Sequence, residues 1–219
     1  MFLGFAILAG ALSAARTDPA DEEAVQRVVS AAREGDRSAA RELYGLHAAR
    51  VYRTVRPLVA TDADAEDIVQ DTFLKALGAL DRYAPRPGVR FVSWLLTIAV
   101  NTTRKRAAKL GRLESVEPDD LVLRVDDSLD SDPFGAGLDH ARLRSELLHL
   151  LAELPDRDRW SLTLRYGGGL SAGEVGRICG LSEANVRKIC ERQRRRLLSR
   201  LEQTLGRAAL EPASTRSAS

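Results

Sequence analysis

The sequence predicts an all-α protein of two small helical domains joined by an acidic flexible linker, the second domain carrying a helix-turn-helix. Leucine and alanine contribute 32 and 31 of the 219 residues, whereas isoleucine contributes 5 and the aromatic residues 11. This composition favours helices over sheets. The apolar residues recur at helical spacing, without the alternation typical of strands. In addition, the charge is segregated along the chain.

This segregation of charge predicts the domain boundaries. Residues 21–111 carry 15 basic and 12 acidic groups, residues 112–139 carry 2 and 9, and residues 140–207 carry 14 and 8. Two basic helical blocks, 21–111 and 140–206, are therefore expected on either side of an acidic linker. The linker is rich in Asp and contains Pro and Gly, which is typical of extended chain. Residues 207–219 are expected to be a disordered tail.

The apolar N-terminal extension, residues 1–20, is ambiguous. Residues 2–15 are apolar, but no basic residue precedes them, as a signal peptide requires. The stretch is also shorter than the roughly 20 residues of a spanning helix. A loose extension, an interfacial or docking helix and a targeting segment are the three alternatives.

Helical periodicity divides the first block into four amphipathic helices: 22–34, 37–59, 63–80 and 91–110. Asp36 is placed to cap the second helix. The third helix has an apolar stripe of eight residues: Ala65, Ile68, Val69, Thr72, Phe73, Ala76, Leu77 and Leu80. The fourth helix follows a loop, 81–90, and ends in a basic run that includes Arg104, Lys105 and Arg106.

The helix predicted over 63–80 also carries a candidate interaction surface. Opposite the apolar stripe lies an acidic face of five residues: Glu66, Asp67, Gln70, Asp71 and Leu74. Carboxylates and an amide beside an exposed leucine suit a basic helical partner. The alternative is a face that only keeps the protein in solution.

The second block is predicted to form helices at 140–153, 156–166, 171–179 and 183–205, and the last two have helix-turn-helix spacing. Gly176 is the small residue where these two helices approach, Gly180 lies in the turn, and Val186 is the packed aliphatic residue after it. Ser182 is a favourable N-cap for the last helix. The remaining core positions of the motif are Ile178, Leu181 and Cys190.

The last helix presents a recognition face of five outward residues: Arg187, Lys188, Glu191, Arg192 and Arg195. Such a helix fits the major groove of DNA, with its N-terminal half against the base edges. A basic amphipathic helix can also be no more than a solvated surface. The helix-turn-helix spacing favours DNA binding.

The sequence lacks the motifs of the common enzyme and metal-site classes. It has no Walker loop and no GxGxxG, GxSxG or HExxH motif, and its three histidines are scattered. No catalytic residue, metal, cofactor or small-molecule substrate is therefore expected, and the protein is not expected to be an enzyme. Cys179 and Cys190 form no disulfide framework, so a reducing cytoplasm is expected. Cys190 is predicted to be a core residue, with a redox pair as the alternative.

Three segments together resemble a known family. DAEDIVQDTFLKA, FVSWLLTIAVNTTRKR and LPDRDRWSLTLRYGGGLSAGEVGRICGLSEANVRKICERQRRRL are similar to bacterial sigma factors of the extracytoplasmic-function (ECF, group IV) type, over residues 22–205. The resemblance implies an alternative RNA polymerase sigma factor that directs transcription initiation in a stress or envelope response, under an anti-sigma factor. The alternative is a stand-alone helix-turn-helix regulator.

The resemblance implies two roles for the first domain, which corresponds to sigma region 2. The residues implied to bind the β′ coiled coil of core RNA polymerase are Glu66, Asp67, Gln70, Asp71 and Phe73. The loop 81–90 and the helix after it are implied to bind the −10 promoter element. The helix residues concerned are Trp94, Asn101, Arg104, Lys105 and Arg106. Trp94 is expected to be a core residue, with base stacking as the alternative.

The second domain corresponds to sigma region 4, which contacts the β flap of the polymerase and the −35 promoter element. The implied −35 residues are Arg165, Ser182, Arg187, Lys188, Glu191 and Arg192. Ile189, Glu191 and Gln193 depart from the family's usual residues, which leaves the promoter sequence open. The acidic linker is implied to thread toward the polymerase active site and RNA exit, or is only a tether. The implied location is the cytoplasm, either free or held at the inner membrane through an anti-sigma factor.

Overall fold

The computed structural model describes residues 19–85, 89–113 and 138–205. The expectations for the N-terminal extension, the C-terminal tail and nearly all of the acidic linker lie outside these residues. Within them the chain is helical and contains no strand, as the composition predicts. No helix in these ranges is long and apolar enough to cross a membrane.

The first domain contains four helices. These are α1 (Pro19–Arg33), α2 (Arg37–Val55), α3 (Asp62–Leu77) and α4 (Phe91–Leu113), with 3₁₀ turns at Arg56–Leu58 and Leu80–Arg82. The predicted boundary at 59 is wrong because α2 passes into the first 3₁₀ turn, where Pro57 has no N–H for helical hydrogen bonding. Asp36 caps α2 as predicted, since its carboxylate accepts from the amide nitrogens of Ser38 at 2.7 Å and Ala39 at 3.3 Å.

The second domain also contains four helices. These are α5 (Leu138–Ala152), α6 (Asp156–Leu162), α7 (Ala172–Cys179) and α8 (Glu183–Leu205). The predicted helix 156–166 is α6 followed by a π-helical turn, Thr163–Gly167. Glycines 167 to 169 then lead into α7. Gly169 has a φ of +63°, which a side chain disfavours, so the chain turns here instead of extending the helix.

The core of the first domain lies where α2, α3 and α4 meet. Its largest fully buried side chains include Phe91, Leu43, Ile68 and Leu95. The apolar stripe of α3 is buried as predicted except for Leu77, which is 37% exposed. That expectation is wrong because α3 ends at this residue, and the following turn carries the next apolar side chain inward.

The two domains pack directly against each other. The π-helical turn of the second domain lies against α2, and a Cβ added to Gly167 would lie 3.0 Å from the backbone oxygen of Arg53. Leu96 of α4 comes similarly close to Gly168. The two domains are therefore in van der Waals contact at these two glycines.

Candidate functional site

The helix-turn-helix is formed by α7 and α8, and its glycines have the roles that the spacing predicts. A Cβ on Gly176 would lie 2.5 Å from the backbone oxygen of Leu181, so no larger residue fits where the helices approach. Gly180 ends α7 in the left-handed region with φ +69°. Ser182 caps α8 by accepting from the amide of Asn185 at 3.2 Å, and Val186 is fully buried.

The recognition face is solvent-exposed along the first half of α8. Its five residues line one open surface: Arg187, Lys188, Glu191, Arg192 and Arg195. Arg187 pairs with Glu183, and Arg195 lies 2.8 Å from Glu191. Four cations against one carboxylate leave a net positive surface, which suits the phosphates and guanine edges of duplex DNA.

A buried carboxylate holds the recognition helix against α6. Asp158 accepts hydrogen bonds from Arg192 at 2.7 Å and from Gln193 at 2.6 Å. Burial opposes its ionisation, but these hydrogen bonds together hold the pKa of Asp158 below its ordinary value. Arg192 therefore belongs both to the recognition face and to the interhelical packing.

Arg165 and Ser182 differ in their surroundings from the other residues that the resemblance assigns to the −35 element. The guanidinium of Arg165 is half-buried, donates to the backbone oxygen of Leu170 at 2.8 Å and lies over the ring of Tyr166. Ser182 is exposed, and its hydroxyl caps α8. Both side chains therefore support the helix-turn-helix through bonds within the chain.

The acidic face of α3 is exposed as predicted. Leu74 is 71% exposed at its centre, and the carboxylates and amide around it are also exposed: Glu66, Asp67, Gln70 and Asp71. Phe73 points to the opposite side, where it is buried with its ring centroid 4.8 Å from that of Tyr44. Phe73 thus supports the helix from inside, while Leu74 leaves an exposed apolar surface among carboxylates on the outside.

The residues assigned to the −10 element lie along α4. Trp94 is half-buried and packs against Tyr83 and Phe91, with centroid distances of 5.0 and 5.5 Å. Asn101 and Lys105 are exposed. The structure therefore assigns Trp94 to the edge of an aromatic cluster, where one part of the indole packs and another faces solvent.

Two basic residues of this set already have partners. Arg106 donates to Asp64 at 2.7 Å and to Asp67 at 3.0 Å, which joins the basic run to the acidic face. The guanidinium of Arg104 lies 5.3 Å from the ring centroid of Trp160 in the second domain. The basic run therefore contacts both α3 and the second domain, and it is also a candidate for binding DNA phosphates.

Sequence reasoning missed Asp158, Trp160 and Glu174, which organise these surfaces. Glu174 has a local signal, because it lies three residues after Ser171 and the two form a capping box. Its second role is not local: it accepts hydrogen bonds from Arg90, 84 residues away in the sequence. Only the tertiary arrangement reveals such pairs.

The surroundings of the two cysteines favour a packing role in the core over a redox role. Both thiols are free, and Cys190 is buried. Burial raises the pKa of Cys190 to about 11 and also raises that of Cys179, so both are protonated near neutral pH. Among the described residues no group of three or more His, Cys, Asp or Glu could hold a metal ion.

Comparisons with known proteins agree with this geometry. Residues 43–113 match Sigma-70 region 2, and residues 144–197 match Sigma-70, region 4. The chain is 32% identical over 183 residues to the RNA polymerase sigma factor CarQ of Myxococcus xanthus, which covers 83% of this chain and 97% of CarQ. It is also 32% identical over 185 residues to the ECF sigma factor SigE of Mycolicibacterium smegmatis, and this alignment covers 82% of this chain and 68% of SigE.

Two solved structures have a similar fold. CnrH, in complex with the cytosolic domain of CnrY, superposes with a TM-score of 0.57 at 25% identity and covers 83% of this chain and 99% of CnrH. The sigma factor RpoE of Bartonella quintana, in complex with the anti-sigma factor NepR, superposes with a TM-score of 0.54 at 23% identity. That superposition covers 82% of this chain and 95% of RpoE. Because both sigma regions match and the similarity to CarQ extends over nearly its whole length, the chain belongs to the ECF group of the sigma-70 family, whose members are transcription initiation factors without catalytic activity of their own.

Proposed function

We propose that this sigma factor divides polymerase and promoter binding between three of its surfaces. The acidic face of α3 binds the β′ coiled coil of core RNA polymerase, α4 and the loop before it bind the −10 element, and the recognition face of α8 binds the −35 element. The observation that carries the proposal is that the acidic face of α3 and the basic recognition face of α8 have opposite charges on one chain. An acidic surface repels DNA and suits a basic protein helix, whereas a basic helix-turn-helix suits DNA.

The −10 contact is supported by chemistry that suits an unpaired strand. Binding single-stranded DNA requires a cationic track for phosphates and an aromatic surface for a base. Arg104 and Lys105 are exposed beside each other on α4, and Trp94 lies three turns earlier with part of its indole facing solvent. The second domain would add a contact to the polymerase β flap, as the family resemblance implies.

We also propose that an anti-sigma factor controls this chain. Support comes from CnrH, solved with the cytosolic domain of CnrY, and from RpoE, solved with the anti-sigma factor NepR. The exposed Leu74 and Leu77 on α3 offer apolar contacts that such an inhibitor would compete for with polymerase. The protein would then act in the cytoplasm, with retention at the inner membrane depending on its inhibitor.

The test is transcription in vitro. The full chain is mixed with core RNA polymerase and genomic DNA fragments, and the 5′ ends of the transcripts are sequenced. We expect transcripts that start a fixed distance after shared −10 and −35 sequences and that require both the chain and core enzyme. A chain that instead binds duplex operator DNA tightly by itself and directs no initiation would be a stand-alone regulator.

A further inference from the structure

Arg192 is held differently from the other arginines of the recognition face. Arg187 and Arg195 pair with glutamates of α8 itself, and both of these pairs are exposed. Arg192 instead donates through Nη2 to Oδ2 of Asp158 at 2.7 Å, and this carboxylate of α6 is only 3% exposed. The side chain of Arg192 is itself 60% exposed. One nitrogen of its guanidinium is therefore held by a buried group while the side chain faces solvent.

Asp158 is in turn held in place by both helices. It lies in the first turn of α6, where its amide donates to the carbonyl of Pro155 at 2.9 Å and where the helix dipole favours a carboxylate. From α8, Nε2 of Gln193 donates to the same Oδ2 at 2.6 Å, and Gln193 is 4% exposed. Gln193 is one of the positions at which this chain departs from the usual residues of the family, and its bond to Asp158 gives that departure a structural role.

The burial of Asp158 favours keeping Arg192 beside it when DNA binds. Burial raises the pKa of Asp158, but the hydrogen bonds from Gln193 and Arg192 outweigh this effect and leave it below its ordinary value, so the carboxylate is charged at neutral pH. A buried charge that loses its cation is strongly destabilised. Arg157 is a poor replacement, because its Nε lies 3.5 Å from Oδ1 and its side chain is 59% exposed. Arg192 therefore meets DNA with its bond to Asp158 intact.

A guanidinium held in this way presents its remaining donors in a restricted direction. The group is planar and rigid, so fixing one nitrogen limits how the other N–H groups can point. A mobile arginine pairs with phosphates of any sequence, whereas directed donors suit the adjacent O6 and N7 acceptors of guanine in the major groove. Asp158 also neutralises one cation of the recognition face, which weakens its sequence-independent attraction to phosphates. Both effects favour a base contact by Arg192.

We propose that Asp158 is a positioning residue for −35 recognition, which holds Arg192 in the orientation in which this arginine contacts a guanine. The proposal rests on the proposed function, because it requires that the recognition face bind the −35 element. It extends that function by naming a buried residue outside α8 that sets the sequence preference, and the base that is contacted. Removing the charge of Asp158 should therefore make binding less selective and more dependent on phosphates.

Two variants and a matched control test this role. Asp158→Asn removes the charge at nearly constant size, and α6 keeps another buried contact with α8, since Sγ of Cys190 lies 3.9 Å from the carbonyl oxygen of Ser161. Asp156→Asn is the control, because it makes the same charge change in the same turn of α6 at a side chain that is 79% exposed and pairs within its own helix. Arg192→Lys leaves every buried residue unchanged and keeps the charge, but it removes the planar group.

The experiment selects −35 sequences from a library with holoenzyme formed from core polymerase and each full-length protein, at two salt concentrations. Circular dichroism first establishes equal helix content. We expect wild type and Asp156→Asn to select guanine at the position that Arg192 contacts. Asp158→Asn should lower this selectivity at least about fivefold, within the range that one paired base contact supplies, and should steepen the salt dependence by about one phosphate. Arg192→Lys should lose the same preference at unchanged salt dependence.

A double variant tests whether Asp158 acts through Arg192. In an Arg192→Ala background, Asp158→Asn should change neither the selected sequences nor the salt dependence any further, because the group that it positions is absent. A carboxylate that only stabilised the fold would lower stability and leave the sequence preference of the holoenzyme unchanged.

The results separate this proposal from the function on which it rests. An Asp158→Asn holoenzyme with the preference and salt dependence of wild type would overturn the proposal, and so would an equal change in the Arg192→Ala background. If Asp158→Asn did not fold, a guanine preference retained by Arg192→Lys would overturn it. Failure of the proposed function would appear already in wild type, as a holoenzyme that selects no −35 sequence.

Discussion

Arg106 and Asp67 are bonded to each other, with the guanidinium Nη2 lying 3.0 Å from the carboxylate Oδ2. The first residue is assigned to promoter DNA and the second to polymerase, so the two surfaces adjoin along the line where α3 and α4 meet. Asp67 is 57% exposed, which makes the pair itself weak. Arg106 also donates to Asp64 at 2.7 Å, so a partner that engaged Asp67, as we propose for polymerase, would still leave the arginine a carboxylate.

Reversing the charge at Asp67 tests the polymerase surface. Asp67→Arg should lower affinity for core polymerase by roughly 2–5 kcal/mol if the carboxylate meets a buried cation, and Gln70→Ala should lower it less. Titration of labelled full-length protein with core enzyme gives the affinity. Glu34→Arg, a charge reversal at an exposed site after α1, is the control. Equal affinity for all four proteins would leave the acidic face with a solubilising role.

Arg187→Ala tests base recognition by α8. Arg187 is 73% exposed one turn after the N-cap, where a recognition helix meets base edges. The variant holoenzyme should lose roughly 1–3 kcal/mol on the best −35 sequence and accept more bases at one position. The measurement is selection from a −35 library, with Arg196→Ala as a control of equal charge change. A sequence preference identical to that of wild type would exclude a base contact.

Arg165→Ala separates a structural role from a DNA role. Its hydrogen bond to the backbone of Leu170 is lost, so the free energy of unfolding should fall by roughly 1–3 kcal/mol, measured by urea denaturation. A contact between Arg165 and a DNA phosphate makes a different prediction, namely a salt slope of DNA binding that the variant reduces by about one. Both measurements on one sample report the two roles separately: unchanged stability would contradict the structural role, and an unchanged salt slope would contradict the phosphate contact.

Asp158→Asn tests the carboxylate between α6 and α8. Because the folded pKa of Asp158 lies below its ordinary value of 3.8, its contribution to stability is complete above that pH and is lost as the pH falls toward the folded pKa. The variant should be roughly 1–3 kcal/mol less stable than wild type at pH 7, and the difference should shrink on acidification below pH 3.8. If the difference in the free energy of unfolding between wild type and variant stayed constant from neutral to acid pH, the charge of Asp158 would not contribute to its hydrogen bonds.

Two glycine substitutions should change stability in opposite directions. Gly176→Ala forces a methyl group against the Leu181 carbonyl and should cost roughly 1–3 kcal/mol in thermal unfolding. Gly45→Ala lies in open space within α2 and should add about 0.5–1 kcal/mol, since alanine is the better helix former. If both variants destabilised the protein equally, close packing would not explain Gly176.

The helices and the helix-turn-helix could be predicted because their signals are local. Apolar periodicity located all eight helices of the described residues, and the caps at Asp36 and Ser182 follow from side-chain chemistry at helix starts. The errors occur where another effect overrides periodicity. Pro57 ends α2 early, and Leu77 is exposed because α3 stops at it.

The contact between the two domains could not be predicted, because the helical spacing of apolar residues does not specify which faces of two domains meet. Arg90 and Glu174 each have an ordinary local explanation, as a loop cation and as a capping-box carboxylate. Their pairing accompanies the close approach of the two domains at Gly167, which is the last residue of the π-helical turn. The same reasoning applies to Asp158, whose partners lie 34 and 35 residues away.

The alternation of buried and exposed positions along α8 bears on how promoter preference can diverge between related sigma factors. Val186, Ile189 and Cys190 are buried, so they maintain the fold. Arg187 and Lys188 are exposed between them, and exchanging exposed residues of this kind changes stability by only about 0.5 kcal/mol or less. If Arg187 and Lys188 contact the −35 element as we propose, a lineage can change its −35 sequence through these two positions without compensating changes in the core. Arg192 is different, because its hydrogen bond to Asp158 also holds α8 against α6.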